Sequence, residues 1–169
     1  MRGCLVVPSE FAEHFRQSPW EITGLLNWAP CMGWDLKQIN EDLSGYDLYM
    51  TNVSSTESEY ISVLKQIEPD ATVIAVFDYG FSVVNQYFIT LHRVKQVMSR
   101  ADHIISVNKN QAEWMKTILP DKSIHYLPHP ADVENMLKFR RKPENRDKDS
   151  VGVFWHQYDA MQIQGLEVL

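Results

Sequence analysis

The stretch Ala71 to Phe77 reads ATVIAVF and is apolar at almost every position. A strand with one wet face alternates apolar and polar residues, so a continuous run belongs in a sheet covered on both sides. The rest of the chain must then supply further strands and the helices that cover them. Gly3 to Val7, Trp34 to Ile39, Tyr46 to Val53, His103 to Val107 and Ser123 to Leu127 read as five more strands, with Gly45 as the turn before the third. Helical patterns fall between them. Trp20 to about Trp28 follows Ser18 as N-cap and Pro19 at the first helical position, and Pro30 and Gly33 are expected to stop it. Ser54-Ser55-Thr56-Glu57 opens a helix with Tyr60, Ile61, Leu64 and Ile67 on one side, ended by Pro69. Ser82 to Arg100 carries Val84, Tyr87, Phe88, Leu91, Val94 and Met98 as a buried stripe, and Lys109 to Leu119 ends at Pro120.

Strand and helix alternate, which predicts parallel strands joined by right-handed crossovers. The expected fold is α/β: a doubly wound, mostly parallel, six-stranded Rossmann-like sheet with helices on both faces. Such sheets bind ligands outside the carboxyl ends of their strands. The chain has 169 residues, 44% of them apolar, enough for one ordinary domain. This domain is expected over residues 1–137. Lys138 to Ser150 is a charged stretch with one proline and reads as a linker. Val151 to Trp155, VGVFW, then reads as the first strand of a truncated C-terminal domain, residues 151–169. An isolated strand exposes unpaired backbone, so it is expected to pack on its own domain or to form a homodimer with a second copy through the C-terminal tail.

Several function classes are excluded or disfavoured. A net charge of −6 argues against nucleic acid as a partner. No segment of about 18 apolar residues spans a membrane, and the apolar patch Cys4 to Val7 is too short for a signal peptide. The run Lys138 to Lys142 is basic but short, and reads as solvated linker rather than a membrane contact. Cys4 and Cys31 lack metal or redox spacing and are expected as reduced core residues of a cytoplasmic protein. The six histidines are scattered, so no metal site is expected. Pro8-Ser9-Glu10-Phe11 after the first strand holds no glycine, which excludes a dinucleotide fingerprint and a P-loop. Met50-Thr51-Asn52 lacks the aspartate of a phospho-receiver. Asp147-Lys148-Asp149 and the Glu13–Glu21 spacing resemble sugar-transferase motifs, but the first lies in the linker and Pro19 interrupts the second.

The order of motifs carries more information. Ala101 to Asp132, ADHIISVNKNQAEWMKTILPDKSIHYLPHPAD, resembles the end of the N-terminal domain in glycosyltransferases of the two-domain GT-B fold, in the group 1, family 4-like branch. Ala101-Asp102, Ser106, Gln111 to Leu119, Pro128 and Asp132 match in order, with Pro130 where the family has glycine. CMGWDL resembles the family's step into the second strand, GYDLYMTN its third strand, and VGVFW the first strand of its C-terminal domain. The resemblance implies transfer of a sugar from a nucleotide-sugar, a co-substrate rather than a cofactor, to a hydroxyl acceptor. It implies that this chain is the acceptor half, that the partner is a small-molecule, lipid or carbohydrate acceptor, and that the donor-binding domain is missing. Pro128, His129 and Pro130 would form the stiff exit toward the hinge, with Asp132 capping the next helix.

The candidate residues follow from strand ends. Asp78 and Tyr79 follow the fourth strand, and Asp78 could take a proton from a sugar hydroxyl or orient it; the alternative is a turn or capping aspartate. Ser9 and Glu10 follow the first strand. Asn52 ends the third and Ser106 and Asn108 the fifth, with helix capping the plainer reading of Asn108. His129 could reach a ligand from the hinge. Trp20, Trp28 and Trp34 read as core before sugar platform. Two rivals use the same layout: a non-catalytic binding module, and half of a sugar-nucleotide epimerase.

Overall fold

The computed structural model describes residues 1–7, 25–52, 60–77, 91–128, 130 and 137. By its contacts the chain divides into Met1–Leu137 and Lys138–Leu169, and every described residue belongs to the first unit. The expectations for the charged stretch 138–150 and the strand Val151 to Trp155 therefore lie outside the described residues, as does the helix capped by Asp132.

The fold is α/β and Rossmann-like. Its strands are β1 (Gly3–Val7), β2 (Asp35–Gln38), β3 (Leu48–Asn52), β4 (Thr72–Phe77), β5 (His103–Ser106) and β6 (Ser123–Tyr126). They form one six-stranded sheet in the order β2-β1-β3-β4-β5-β6, and every neighbouring pair is parallel. Among the described residues the helices are a 3₁₀ turn at Leu25–Asn27, α1 (Trp28–Met32), α2 (Tyr60–Ile67), α3 (Leu91–Met98) and α4 (Lys109–Ile118).

All five residues of β1 are buried. Its alternating side chains enter two separate clusters, as the pleat dictates. Cys4 and Val6 join Tyr49, Val73, Ala75, Phe77, Ile104 and Ile124 against Ile61 and Leu64 of α2, Val97 and Met98 of α3, and Ala112 and Met115 of α4. Leu5 and Val7 join Met50, Val76 and Ile105 on the other face, where Leu26 of the 3₁₀ turn and Trp28 and Ala29 of α1 meet them. Gly3 lies on this second face beneath the Trp34 indole. A Cβ added at Gly3 would sit 2.6 Å from the ring, so glycine is required for this close approach.

Polar side chains tie the amino ends of the strands together. The Arg2 guanidinium donates to Asp35 at 3.0 Å and to the Tyr46 hydroxyl at 3.2 Å, and that hydroxyl donates to Asp35 at 2.8 Å. Arg2 also stacks 4.2 Å from the centre of the Tyr46 ring, and its N–H donates to Asp47 at 2.6 Å. One arginine thus links the starts of β1, β2 and β3. Asp102 does the same for β4 and β5. Its carboxylate accepts from the Val73 N–H at 2.8 Å and pairs with Lys65 of α2 at 2.6 Å, and its own N–H donates to the Val73 carbonyl at 2.9 Å.

Three local expectations are corrected. Where a helix is expected to end near Trp28, the described residues show a 3₁₀ turn at Leu25–Asn27 and then α1 from Trp28 to Met32, closed at Gly33, whose φ of 65° is the left-handed cap. Pro30 does not stop it, because it sits in the first turn of α1, where a backbone N–H has no partner within the helix. Cys31, expected in the core, is exposed, because α1 buries Trp28 and Ala29 and turns Cys31 to solvent. Ile67, expected on the buried stripe of α2, is 40% exposed, while Ile61 and Leu64 carry the packing.

Two outcomes test these contacts. Gly3→Ala is expected to lower stability by about 1–3 kcal/mol in urea unfolding, and most of that cost should vanish when the same substitution is made in a Trp34→Ala background. Burial pushes the Asp102 carboxyl up, but the Lys65 ammonium and the Val73 N–H outweigh it and hold the group below its usual value. The contribution of Asp102 is therefore whole above the ordinary aspartate value of about 4 and fades as pH falls through the lowered one. The stability difference between the protein and Asp102→Ala should shrink in acid; a difference constant down to about pH 2 would refute the clamp.

Candidate functional site

The sheet order sets where a ligand can go. The chain steps from β1 outward to β2, then returns past β1 to β3 and proceeds to β6. The direction of winding thus reverses between β1 and β3, and in parallel sheets the crevice opens at such a reversal, outside the carboxyl ends. Register puts Val6 beside Thr51, Asn52 beside Val76, and Phe77 beside Ser106. Val7, Asn52, Phe77 and Ser106 therefore end their strands on a single rim. The sequence carries Ser9 and Glu10 just after Val7, and Asp78 and Tyr79 just after Phe77. These four, with His129, lie outside the described residues.

Three candidates are described. Asn52 is half-buried at the end of β3, and its carbonyl accepts a long bond of 3.4 Å from the Thr51 hydroxyl. Ser106 is fully buried. Its hydroxyl lies 3.0 Å from the Asn108 carbonyl and 3.1 Å from Oε1 of Gln111, itself only 1% exposed. Asn108 is the N-cap of α4: its extended backbone turns the side-chain oxygen onto the N–H groups of Asn110 at 2.9 Å and Gln111 at 3.3 Å. The contacts of Ser106 and Asn108 thus build the turn from β5 into α4. Gln111 completes it; the sequence reading places it in the matching stretch Gln111 to Leu119 without a role in this turn, although a polar residue beside Ala112 and Met115 on a buried stripe is the signal for one.

Two reactive groups among the described residues are chemically quiet. Burial pushes the Cys4 thiol up to about 12, so it stays protonated and inert as a nucleophile. Burial, followed by the hydrogen bond to Asp35, raises the Tyr46 hydroxyl to about 12. A hollow of about 450 Å³ bounded by Arg2, Gly3, Gly33, Trp34, Asp35 and Asp47 opens at the amino ends of the strands, on the rim opposite Val7, Asn52, Phe77 and Ser106. Among the described residues no group of three or more histidine, cysteine or acidic side chains could hold a metal, and no helix is long and apolar enough to cross a membrane.

No family model matches the chain, and no curated protein does.

Capping by Asn108 has a measurable consequence. Asn108→Ala is expected to cost about 1 kcal/mol of stability, while Asn108→Asp or Asn108→Ser keeps most of it. Thermal unfolding that is identical for the alanine variant and the parent would remove capping as the reason for this residue.

Proposed function

We propose that the chain is the acceptor-side domain of a GT-B-like sugar transferase in the cytoplasm, moving a sugar from a nucleotide-sugar to a hydroxyl acceptor. The observation that supports this reading is the reversal of strand order between β1 and β3. Parallel pairing puts the ends of β1, β3 and β4 on one rim there, with Val7 two residues before Ser9, Asn52 at the end of β3, and Phe77 directly before Asp78 and Tyr79. The motif order from Ala101 to Asp132 adds the family resemblance.

In this reading the acceptor lies over that rim. Asp78 orients the acceptor hydroxyl and takes its proton as the new bond forms between its oxygen and the anomeric carbon. The bond from that carbon to the phosphate oxygen breaks, and the electron pair leaves with the nucleotide. Ser9, Glu10, Asn52 and Tyr79 hold acceptor hydroxyls, and His129 contacts the ligand from the hinge side. A second domain binds the nucleotide and meets the charge on the leaving phosphate. Neither half positions donor and acceptor alone, so this chain binds acceptor without turnover.

The test is a titration of the ¹⁵N-labelled chain with simple alkyl glycosides and, separately, with nucleotide-sugars. Glycosides at millimolar levels are expected to shift the amides of Val7, Asn52 and Phe77, and Asp78→Ala should weaken that response by about tenfold. Shifts confined to the amino rim, or none, would overturn the reading. A response to nucleotide-sugar alone at the same amides would replace it with an enzyme acting on the donor itself.

A further inference from the structure

The second face of the sheet changes character along its width. Over β1, β3 and β4 it is apolar, with Leu5, Met50 and Val76 buried. It stays apolar at Ile105 of β5 and turns polar at the start of β5 and over β6. Ile104 and Ile124 point into the cluster under α2, α3 and α4, so alternation sends His103, Ser123 and His125 to the opposite face. All three are exposed. His103 and Ser123 are register partners on neighbouring strands. The Ser123 hydroxyl lies 2.8 Å from Nε2 of His125, and the two imidazole rings stand 6.1 Å apart, inclined at 48°.

We propose that His103 and His125 form a two-imidazole site for a late first-row divalent metal, Cu(II) foremost and Ni(II) or Zn(II) after it. The spacing fits. A metal–nitrogen bond of about 2.0–2.1 Å places the ion roughly 3 Å from each ring centre, so two rings sharing an ion span up to roughly 6 Å. A bent arrangement draws the rings about an ångström closer, which side-chain rotation at an exposed position supplies. Imidazole suits these metals, and the order of affinity follows the general rise to copper. The backbone of β5 and β6 is already ordered by the ladder, so binding orders little beyond the two side chains. Ser123 serves as the outer partner: with its oxygen accepting from Nε2–H, it fixes the His125 tautomer and leaves the lone pair on Nδ1 for the ion. Among the described residues no third protein ligand joins the pair, so water or a donor atom of an incoming ligand fills the remaining positions. The site stands on the opposite face from α4 and is independent of the proposed transfer reaction.

The test is calorimetric titration of the full chain with Cu(II), Ni(II) and Zn(II) salts in a non-coordinating buffer, with Cu(II) electron paramagnetic resonance. One equivalent is expected to bind with copper tightest, and the spectrum should show coupling to two imidazole nitrogens. His103→Ala and His125→Ala should each lower the Cu(II) affinity by at least about tenfold. Both side chains are exposed, so circular dichroism should show an unchanged fold. Absence of saturable binding would overturn the proposal. So would an affinity unchanged in both single variants, which would put the metal on the chain's other histidines.

Discussion

The controlling constraint is that a parallel sheet must hide both of its faces. β1 meets it fully, with Cys4, Leu5 and Val6 at no exposure and Val7 at 1%. Since successive side chains point in opposite directions, those residues demand two layers of cover. One layer comes from α2, α3 and α4, and part of the other from the 3₁₀ turn and α1. Parallel pairing also forces each connection to travel the length of the sheet. Every strand therefore begins at one rim and ends at the other, and the two rims are free to serve different purposes.

The amino rim is occupied by fastening. Arg2 joins three strand starts through Asp35, Tyr46 and Asp47. Asp102 joins β4 and β5 and holds α2 through Lys65. These are charged groups with their partners supplied by the protein, and the side chains remain partly in water, so each pair adds modestly to stability while setting register. With charge committed there, ligand chemistry is better sought at the carboxyl rim, where the winding reverses. At that rim the turn from β5 into α4 is built from Ser106, Asn108 and Gln111, and it leaves Asn52 as the described candidate nearest the reversal.

Much of the architecture was legible in the sequence because the signals were local. Apolar runs such as ATVIAVF mark strands without reference to any partner, and all six strands fall within the stretches read as strands, although β2, DLKQ, holds a single apolar residue. Capping of α4 by Asn108 was legible for the same reason. What failed depended on context. Pro30 reads as a helix stop, but a proline in a first turn is tolerated, so α1 runs on to Met32. Cys31 reads as core by composition, yet the side of a one-and-a-half-turn helix on which it falls depends on which neighbours α1 buries. Tyr46 reads as strand, but it precedes the ladder and anchors it. Asp102 entered as part of a family-like pair, and its bonded partner Val73 stands 29 residues away, a distance no local pattern spans. The reversal between β1 and β3 is likewise a property of strand order, which alternation alone leaves undetermined.

The placement of the indoles has a practical consequence. Trp28 is buried in the second layer with Trp34 packed beside it, whereas Trp114 lies against the first. Each side of the sheet therefore carries its own native chromophore. Fluorescence of single-tryptophan versions could follow the loosening of one layer apart from the other, with no dye attached.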